Sequence, residues 1–439
     1  MLLIYSDIRS ARLSYILKTF FTDFLKVPYE LTYDASWFKD YPHEKISYGK
    51  ERIAGEFFIA RVDILIEGPV TLLSPGAFKI GSNSYLFPVD QPADLPYDIF
   101  AAAFFMITRY EEYLPFTPDD HGRFSSSSSL SAKYYFLQHP VVDEWIMQLS
   151  YALHEKFPGF LTPSSKFSAI MSYDIDVAYE YKGRGILRNV GSTVKDLLKL
   201  DFDRILSRFK VYLGLINDSY DSFNEILHSC KKSNLEPLFF FLVGNYSAHD
   251  KNLPYNSSQM KSLINELSQA SAIGVHPSYL SSLNSKMMSV EKKRMERISG
   301  KKITRSRQHF LKLSLPGTYR NLILAGITED FTMGFADAPG FRAGTSKPFY
   351  FYDLQKEEAT TLKVFPITFM DGNFIKHLRM QPSEAMTVIS QLIASVHAVN
   401  GTFISLWHNH TLSNKGMYKG WKFVHDTMIK EISDLKDIK

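Results

Sequence analysis

Apolar positions along this chain keep two rhythms. From residue 167 onward, seven short β-rich runs recur, several of them apolar at nearly every position: Phe167–Tyr173, Pro237–Val243, Ala272–Val275, Ile303–Gln308, Ile327–Met333, Leu362–Phe369 and Thr402–Trp407. Runs without polar alternation belong to strands buried on both faces, as in a parallel sheet. Amphipathic, helix-spaced stretches separate most of them, and strands alternating with helices predict an α/β fold. Seven such units suit a closed (β/α) barrel better than an open sheet. The interval Tyr179–Asp218, between the first two runs, is long. It predicts a helix over Thr193–Tyr212 and a candidate lid.

The first part of the chain reads differently. Leu2–Tyr5 predicts a strand, and apolar spacing of three and four predicts a helix over Arg9–Phe24. Strands are expected within Phe57–Ile66 and Ser84–Phe87, and helices over Tyr97–Tyr113 and Val142–Lys156. Ser125–Ser129, five serines in a row, reads as a flexible surface loop. Pro158, Gly159, Pro163 and the serines after it read as a linker. The expected organisation is a smaller α/β domain over residues 1–162 and a barrel over 163–439.

Composition narrows the class. Of 439 residues, 45% are apolar and 22% charged, as in an ordinary globular chain. A net charge of +4 is too mild to indicate nucleic-acid binding. No apolar run approaches the roughly 20 residues that span a bilayer, and the start has no secretory pattern. The expectation is a cytoplasmic protein without a membrane span. A single cysteine, Cys230, rules out an intrachain disulfide and any cysteine-cluster metal site; a helix-packing role suits it. A metal would need carboxylates and some of the 13 histidines.

Polar residues gather just past the ends of the apolar runs, where parallel α/β barrels carry their active sites. The first run ends in Ser172-Tyr173-Asp174-Ile175-Asp176, and in an extended chain the two carboxylates share a side. The third ends in Val275-His276-Pro277-Ser278, the fourth in Arg305-Ser306-Arg307-Gln308-His309, and the seventh in Trp407-His408-Asn409-His410. Each also has a plain structural reading: a cap, a loop, a basic surface, a pair of core histidines. Together, one Asp and two His form a common zinc set with positions left open, and a second Asp nearby can serve as general base.

At these residues the chain resembles the NodB-type polysaccharide deacetylases, carbohydrate esterase family 4, over about residues 167–430. The resemblance implies a seven-stranded (β/α) barrel that removes acetyl groups from sugars with a divalent metal. It implies Asp174 as base and Asp176 as metal ligand, although the family's acids are adjacent and here Ile175 separates them. The family's His-Ser/Thr-x-x-His motif survives only as His276, with Leu280 at the second position. His309 is the candidate replacement ligand. Arg307 matches the arginine that orients the catalytic Asp, with Arg342 in Gly340-Phe341-Arg342-Ala343-Gly344-Thr345 as rival. Leu406-Trp407-His408 matches the family's last motif and makes His408 the general acid. Such an acid needs a carboxylate partner, for which Asp371 is the candidate, and His410 is the rival acid.

The leading expectation is zinc- or other divalent-metal-dependent deacetylation of an acetylated saccharide in bacterial polysaccharide metabolism. The missing second histidine motivates an alternative, a saccharide-binding protein that has lost catalysis. A metal hydrolase of a non-sugar C–N bond is a third reading. The basic stretch Glu291–Arg307 reads as a solvated helix face, or as a site for a diphosphate-linked sugar.

Overall fold

The computed structural model describes residues 1–53, 55–163 and 165–437. Ser164, in the expected linker, lies outside the described residues, as do the last two positions of the chain. A parallel four-stranded sheet comes first, from β1 (Leu2–Ser6), β2 (Tyr29–Thr32), β3 (Lys45–Gly49) and β4 (Phe57–Ala60), in the order β2-β1-β3-β4. A hairpin follows, β5 (Ala77–Ile80) with β6 (Asn83–Leu86). The stretch predicted as one helix over Arg9–Phe24 is an α-helix, Ala11–Leu17, that widens into π-helix over Lys18–Phe24. Ser10 starts it by accepting from Leu13 N–H, as a good N-cap does. The helix Ile99–Ile107 has every residue buried and lies at the centre of this part.

All seven apolar runs contain strands of one large sheet. These are β7 (Ser168–Ile175), β8 (Pro237–Leu242), β9 (Ala272–His276), β10 (Arg305–Ser306), β11 (Glu329–Asp330), the pair β13 (Glu358–Val364) and β14 (Phe369–Met370), and β15 (Thr402–His408). An additional strand, β12 (Phe349–Asp353), pairs antiparallel with β13. The order is β12-β13-β11-β10-β9-β8-β7-β15-β14, with every other pairing parallel. Side chains alternate between two sets. Phe239, Phe241, Phe403 and Trp407 join the large core under the helices. Leu238, Phe240, Ile404 and Leu406 meet Phe331 and Ile367 in a small second core. The sheet therefore curls around an interior of its own.

The expected closed barrel is not formed. The sixth run splits at Pro366, which has no N–H to give a ladder. On one side Phe365 and Ile367 donate to the carbonyls of Asp330 and Met333; on the other Thr368 donates to that of Ile404. Loop bonds thus link the two ends of the sheet where a continuous ladder was expected.

Nor is the N-terminal part set off by a core of its own. One continuous cluster of buried apolar side chains runs from Leu2 to Ile432. Buried polar contacts cross the same boundary. Arg342 pairs with Glu112 through Nε and Nη2, Arg109 donates to the Arg342 carbonyl, and Asp143 accepts from Thr345 and Ser346. The serine run is also not loose. Ser126 is held by Asp337, and Ser129 caps the short helix Leu130–Lys133. The long interval after β7 holds two helices, Ile186–Leu198 and Phe202–Tyr212, in place of the one expected. Among the described residues no helix is long and apolar enough to cross a membrane.

Candidate metal and active site

The site forms where strands of the large sheet end, on the face that looks into the small core. Register places His408 of β15 opposite Asp174 of β7. Period-two alternation puts Ser172, Asp174 and His408 on the inner side with Leu406 and Ile404. Arg307, one residue past β10, enters this interior and is fully buried. Its Nη1 donates to Asp174 Oδ1 at 2.8 Å, its Nη2 to Ser172 Oγ at 2.7 Å and its Nε to the Phe331 carbonyl at 3.0 Å. The guanidinium also lies over the Phe240 ring, 4.5 Å from its centre. Asp174 is thus fixed on one oxygen, and its other oxygen lies 3.6 Å from His276 Nε2.

Asp176, His276 and His309 converge. Their candidate ligand atoms all lie within 4.8 Å of one another. His276 Nε2 is 3.1 Å from Asp176 Oδ1, and His309 Nε2 is 3.5 Å from Asp176 Oδ2. The opposite ring nitrogens fix the tautomers. His276 Nδ1 faces the Arg307 carbonyl at 2.5 Å, which can only accept, and His309 Nδ1 faces Asp250 Oδ1 at 2.8 Å. Each Nδ1 therefore carries a proton, and each Nε2 points at the Asp176 carboxylate. An Nε2 and a carboxylate oxygen this close need either a proton or a cation between them. Asp176 Oδ1 is accordingly buried with no hydrogen bond of its own. Ligand bonds of about 2.0–2.2 Å in a tetrahedron separate donors by about 3.4 Å, close to the 3.1 and 3.5 Å between the two imidazoles and the Asp176 oxygens. The three residues fit a divalent cation, and an imidazole oriented by a carboxylate, as His309 is by Asp250, is the usual outer support of a metal ligand.

Without a metal, protons take up this role. Burial alone would depress His309, but the charge of Asp176, its hydrogen bond and those of Asp250 raise it to about 9. Burial would raise Asp176, yet the charge of His309 and the closeness of the His276, His309 and His408 imidazoles hold it well below the usual carboxylate range.

On the other side of Asp176, His408 Nδ1 bonds Asp371 Oδ1 at 2.7 Å, and the His408 backbone N–H donates to Asp371 Oδ2 at 2.8 Å. His408 Nε2 is 3.4 Å from Asp176 Oδ2. Burial would lower His408, but Asp371 and Asp176 raise it well above an ordinary imidazole, and the same pairing takes Asp371 down to about 2 against its own burial. His410 faces His408 with ring centres 5.1 Å apart. Burial and the His408 charge push it down to about 4. Trp407 alternates to the outer face, edge-on to His425.

Arg342, the rival for the arginine beside Asp174, is elsewhere. It is buried against Glu112 and the Gly334 carbonyl, in the joint with the N-terminal part. Leu280 is exposed and supplies nothing to the site. Glu291, read as the start of a solvated face, is buried and accepts from Ser278 N and Oγ, so it braces the loop after His276.

A cavity of about 390 Å³ opens over Asp174, Asp176, His276, His309 and His408. Among the described residues, the interval expected as a lid, Tyr179–Asp218, contributes no lining residue. The wall comes instead from residues the sequence did not single out. His121 and Arg123 arrive from the N-terminal part, with His121 Nδ1 3.2 Å from the Tyr279 hydroxyl and Arg123 Nη1 2.5 Å from the Phe310 carbonyl. Asp250 lies in the loop after β8, and the rule that found the other strand-end residues could have reached it. His121 and Arg123 sit in a polar loop, where no pattern marks them.

Residues 2–158 match DUF7033, a family of unknown function. No curated protein matches the chain. Among solved structures, one similar protein, from Mycobacterium smegmatis, is assigned as a polysaccharide deacetylase. It is 14% identical over 63% of this chain and 86% of that one, with a TM-score of 0.41. Puue allantoinase is 12% identical over 61% and 84%, with a TM-score of 0.38. A CE4 family pseudoenzyme from Bacillus anthracis is 12% identical over 62% and 61%, with a TM-score of 0.31. At such scores neither activity nor substrate transfers, and the architecture rests on the chain's own strand order.

Proposed function

We propose that the chain is a metal-dependent hydrolase that removes an acetyl group from a saccharide. One observation carries this reading: a carboxylate–imidazole set fit for a divalent ion lies between an arginine-held carboxylate, Asp174, and a carboxylate-held imidazole, His408. The motif resemblance at the same residues supports saccharide acetyl groups as substrate. An ion held by Asp176, His276 and His309 would supply a Lewis acid for the acetyl carbonyl and a more acidic water. Asp174, fixed by Arg307 through Oδ1, keeps Oδ2 free to take the proton of the attacking water. His408, kept protonated by Asp371, delivers its Nε2 proton to the departing nitrogen or oxygen. Met370, Ala336 and Leu311 line the cavity with apolar surface suited to a methyl group.

His410, pushed down to about 4, is a neutral imidazole at neutral pH with no imidazolium proton to give, so the acid role falls to His408. The test assays His408→Ala and His410→Ala on an acetamide and on an activated ester of the same sugar. Amide cleavage needs leaving-group protonation and ester cleavage hardly does, so His408→Ala should lose amide turnover by about 10²–10⁴ while largely sparing the ester. Equal loss on both substrates, or selective loss in His410→Ala, contradicts the assignment. Saccharide binding by the metal-loaded protein with no turnover of either substrate favours the binding-protein reading.

A further inference from the structure

The helices between β7 and β8 carry a large exposed apolar surface. Ile186–Leu198 exposes Val190, Val194, Leu197 and Leu198, and Phe202–Tyr212 exposes Phe202, Leu206, Phe209 and Tyr212. Spacings of three and four place each set on one stripe of its helix. The flanking turns continue the surface: Leu198, Leu200 and Leu213 are 81%, 72% and 72% exposed. Between the helices the contact is polar. Arg208 is buried and donates to Asp196 and to Thr193 Oγ1. A hairpin that buries its charges and turns its leucines outward is inverted relative to one that packs on a protein core. Exposed apolar patches of this kind mark interaction surfaces.

Charge indicates what covers it. Residues 182–216 hold eight Lys and Arg against three Asp, an excess larger than the +4 of the whole chain. Arg204 and Arg208 are paired with Asp196, whereas Lys195, Lys199 and Lys210 form no ion pair among the described residues. An apolar stripe flanked by unpaired lysines matches a helix lying in the interface of an anionic bilayer. A second copy fits poorly, because it would bring two like-charged hairpins together. The helices are too short to span a bilayer, and lying in its plane requires no span. We infer that the hairpin 186–216 is an amphipathic anchor that seats the protein on an anionic lipid surface. It leaves the sheet just after Asp176, so anchoring acts at the edge that bears the candidate site.

Co-sedimentation of the full chain with phosphatidylcholine vesicles, with and without phosphatidylglycerol, tests this. The protein should pellet with the anionic vesicles and bind the neutral ones at least about tenfold less. Leu198→Asp/Phe209→Asp should lose binding by a similar factor with an unchanged circular-dichroism melt. Lys195→Glu/Lys199→Glu/Lys210→Glu, at exposed positions away from the apolar stripe, should do the same and keeps the test valid if the first variant misfolds. Failure to bind anionic vesicles, or equal binding to both kinds, overturns the inference. A concentration-dependent dimer by light scattering that Leu198→Asp/Phe209→Asp abolishes, without vesicle binding, assigns the surface to a second copy and also overturns it.

Discussion

Two carboxylates separated by Ile175 take different roles because different partners face them. Asp174 meets a fixed guanidinium and Asp176 meets imidazoles. Asp174→Asn keeps an acceptor for Arg307 but cannot take a proton at neutral pH. It should retain metal and fold, at a cost of about 1–3 kcal/mol in stability, and lose about 10²–10⁴ in turnover. Metal content, a thermal melt and kcat check the three parts, and more than half of wild-type kcat would make Asp174 structural. His309 gives a second prediction. In the metal-free protein it is protonated below about 9, yet it must be neutral to bind an ion. Binding should therefore release about one proton near neutral pH, and affinity should rise about tenfold per pH unit up to that value. Competition titrations at several pH values read the slope, and a flat profile would remove His309 from the ligand set. The sign reverses for the stability of the metal-free protein: His309 stabilises it fully below the ordinary imidazole range, and the contribution is lost as the pH rises through about 9.

At the scale of elements, the joint between the two parts of the chain depends on a close backbone approach. Phe341 N donates to the Leu137 carbonyl at 2.8 Å, and a Cβ on Gly340, whose φ is +134°, would sit 2.4 Å from that oxygen. Gly340→Ala should cost about 2–4 kcal/mol, from an unfavourable φ plus overpacking, and lower the melting temperature of the whole chain. An unchanged melt would show that the joint relaxes freely. Most of the parallel strands were legible as apolar runs, although β10 (Arg305–Ser306) and β11 (Glu329–Asp330) are polar within theirs, and the site was legible because its acids and histidines lie at the ends of those runs. Asp174, Asp176, His276, His309 and His408 all come together as the strand-end rule required. The rule does not see long-range closure. Arg342 lies in a segment that rivals that of Arg307 as a match to the family's arginine motif, but the Glu112 carboxylate, 230 positions away, captures it. The barrel expectation failed at Pro366, a breaker visible inside the sixth run. The strands β2, β3 and β12 carry too many polar or aromatic residues to read as core runs, and their pairing comes from neighbours distant in sequence.

For the molecule as a whole, one core from Leu2 to Ile432 makes the N-terminal part a wall of the cavity. Arg123 and His121 reach the loops that carry Phe310 and Tyr279, so the polar joint at Glu112 and Arg342 positions residues that meet the substrate under the proposed function. All of this converges on one claim, that Asp176, His276 and His309 hold a divalent ion. Elemental analysis of the full chain, loaded with zinc and freed of excess by gel filtration, tests it directly. The account predicts about one equivalent per chain, lost in Asp176→Ala and in His309→Ala while both variants keep the wild-type circular-dichroism spectrum. A wild-type protein that elutes without metal, or an Asp176→Ala variant that keeps its full equivalent, contradicts it.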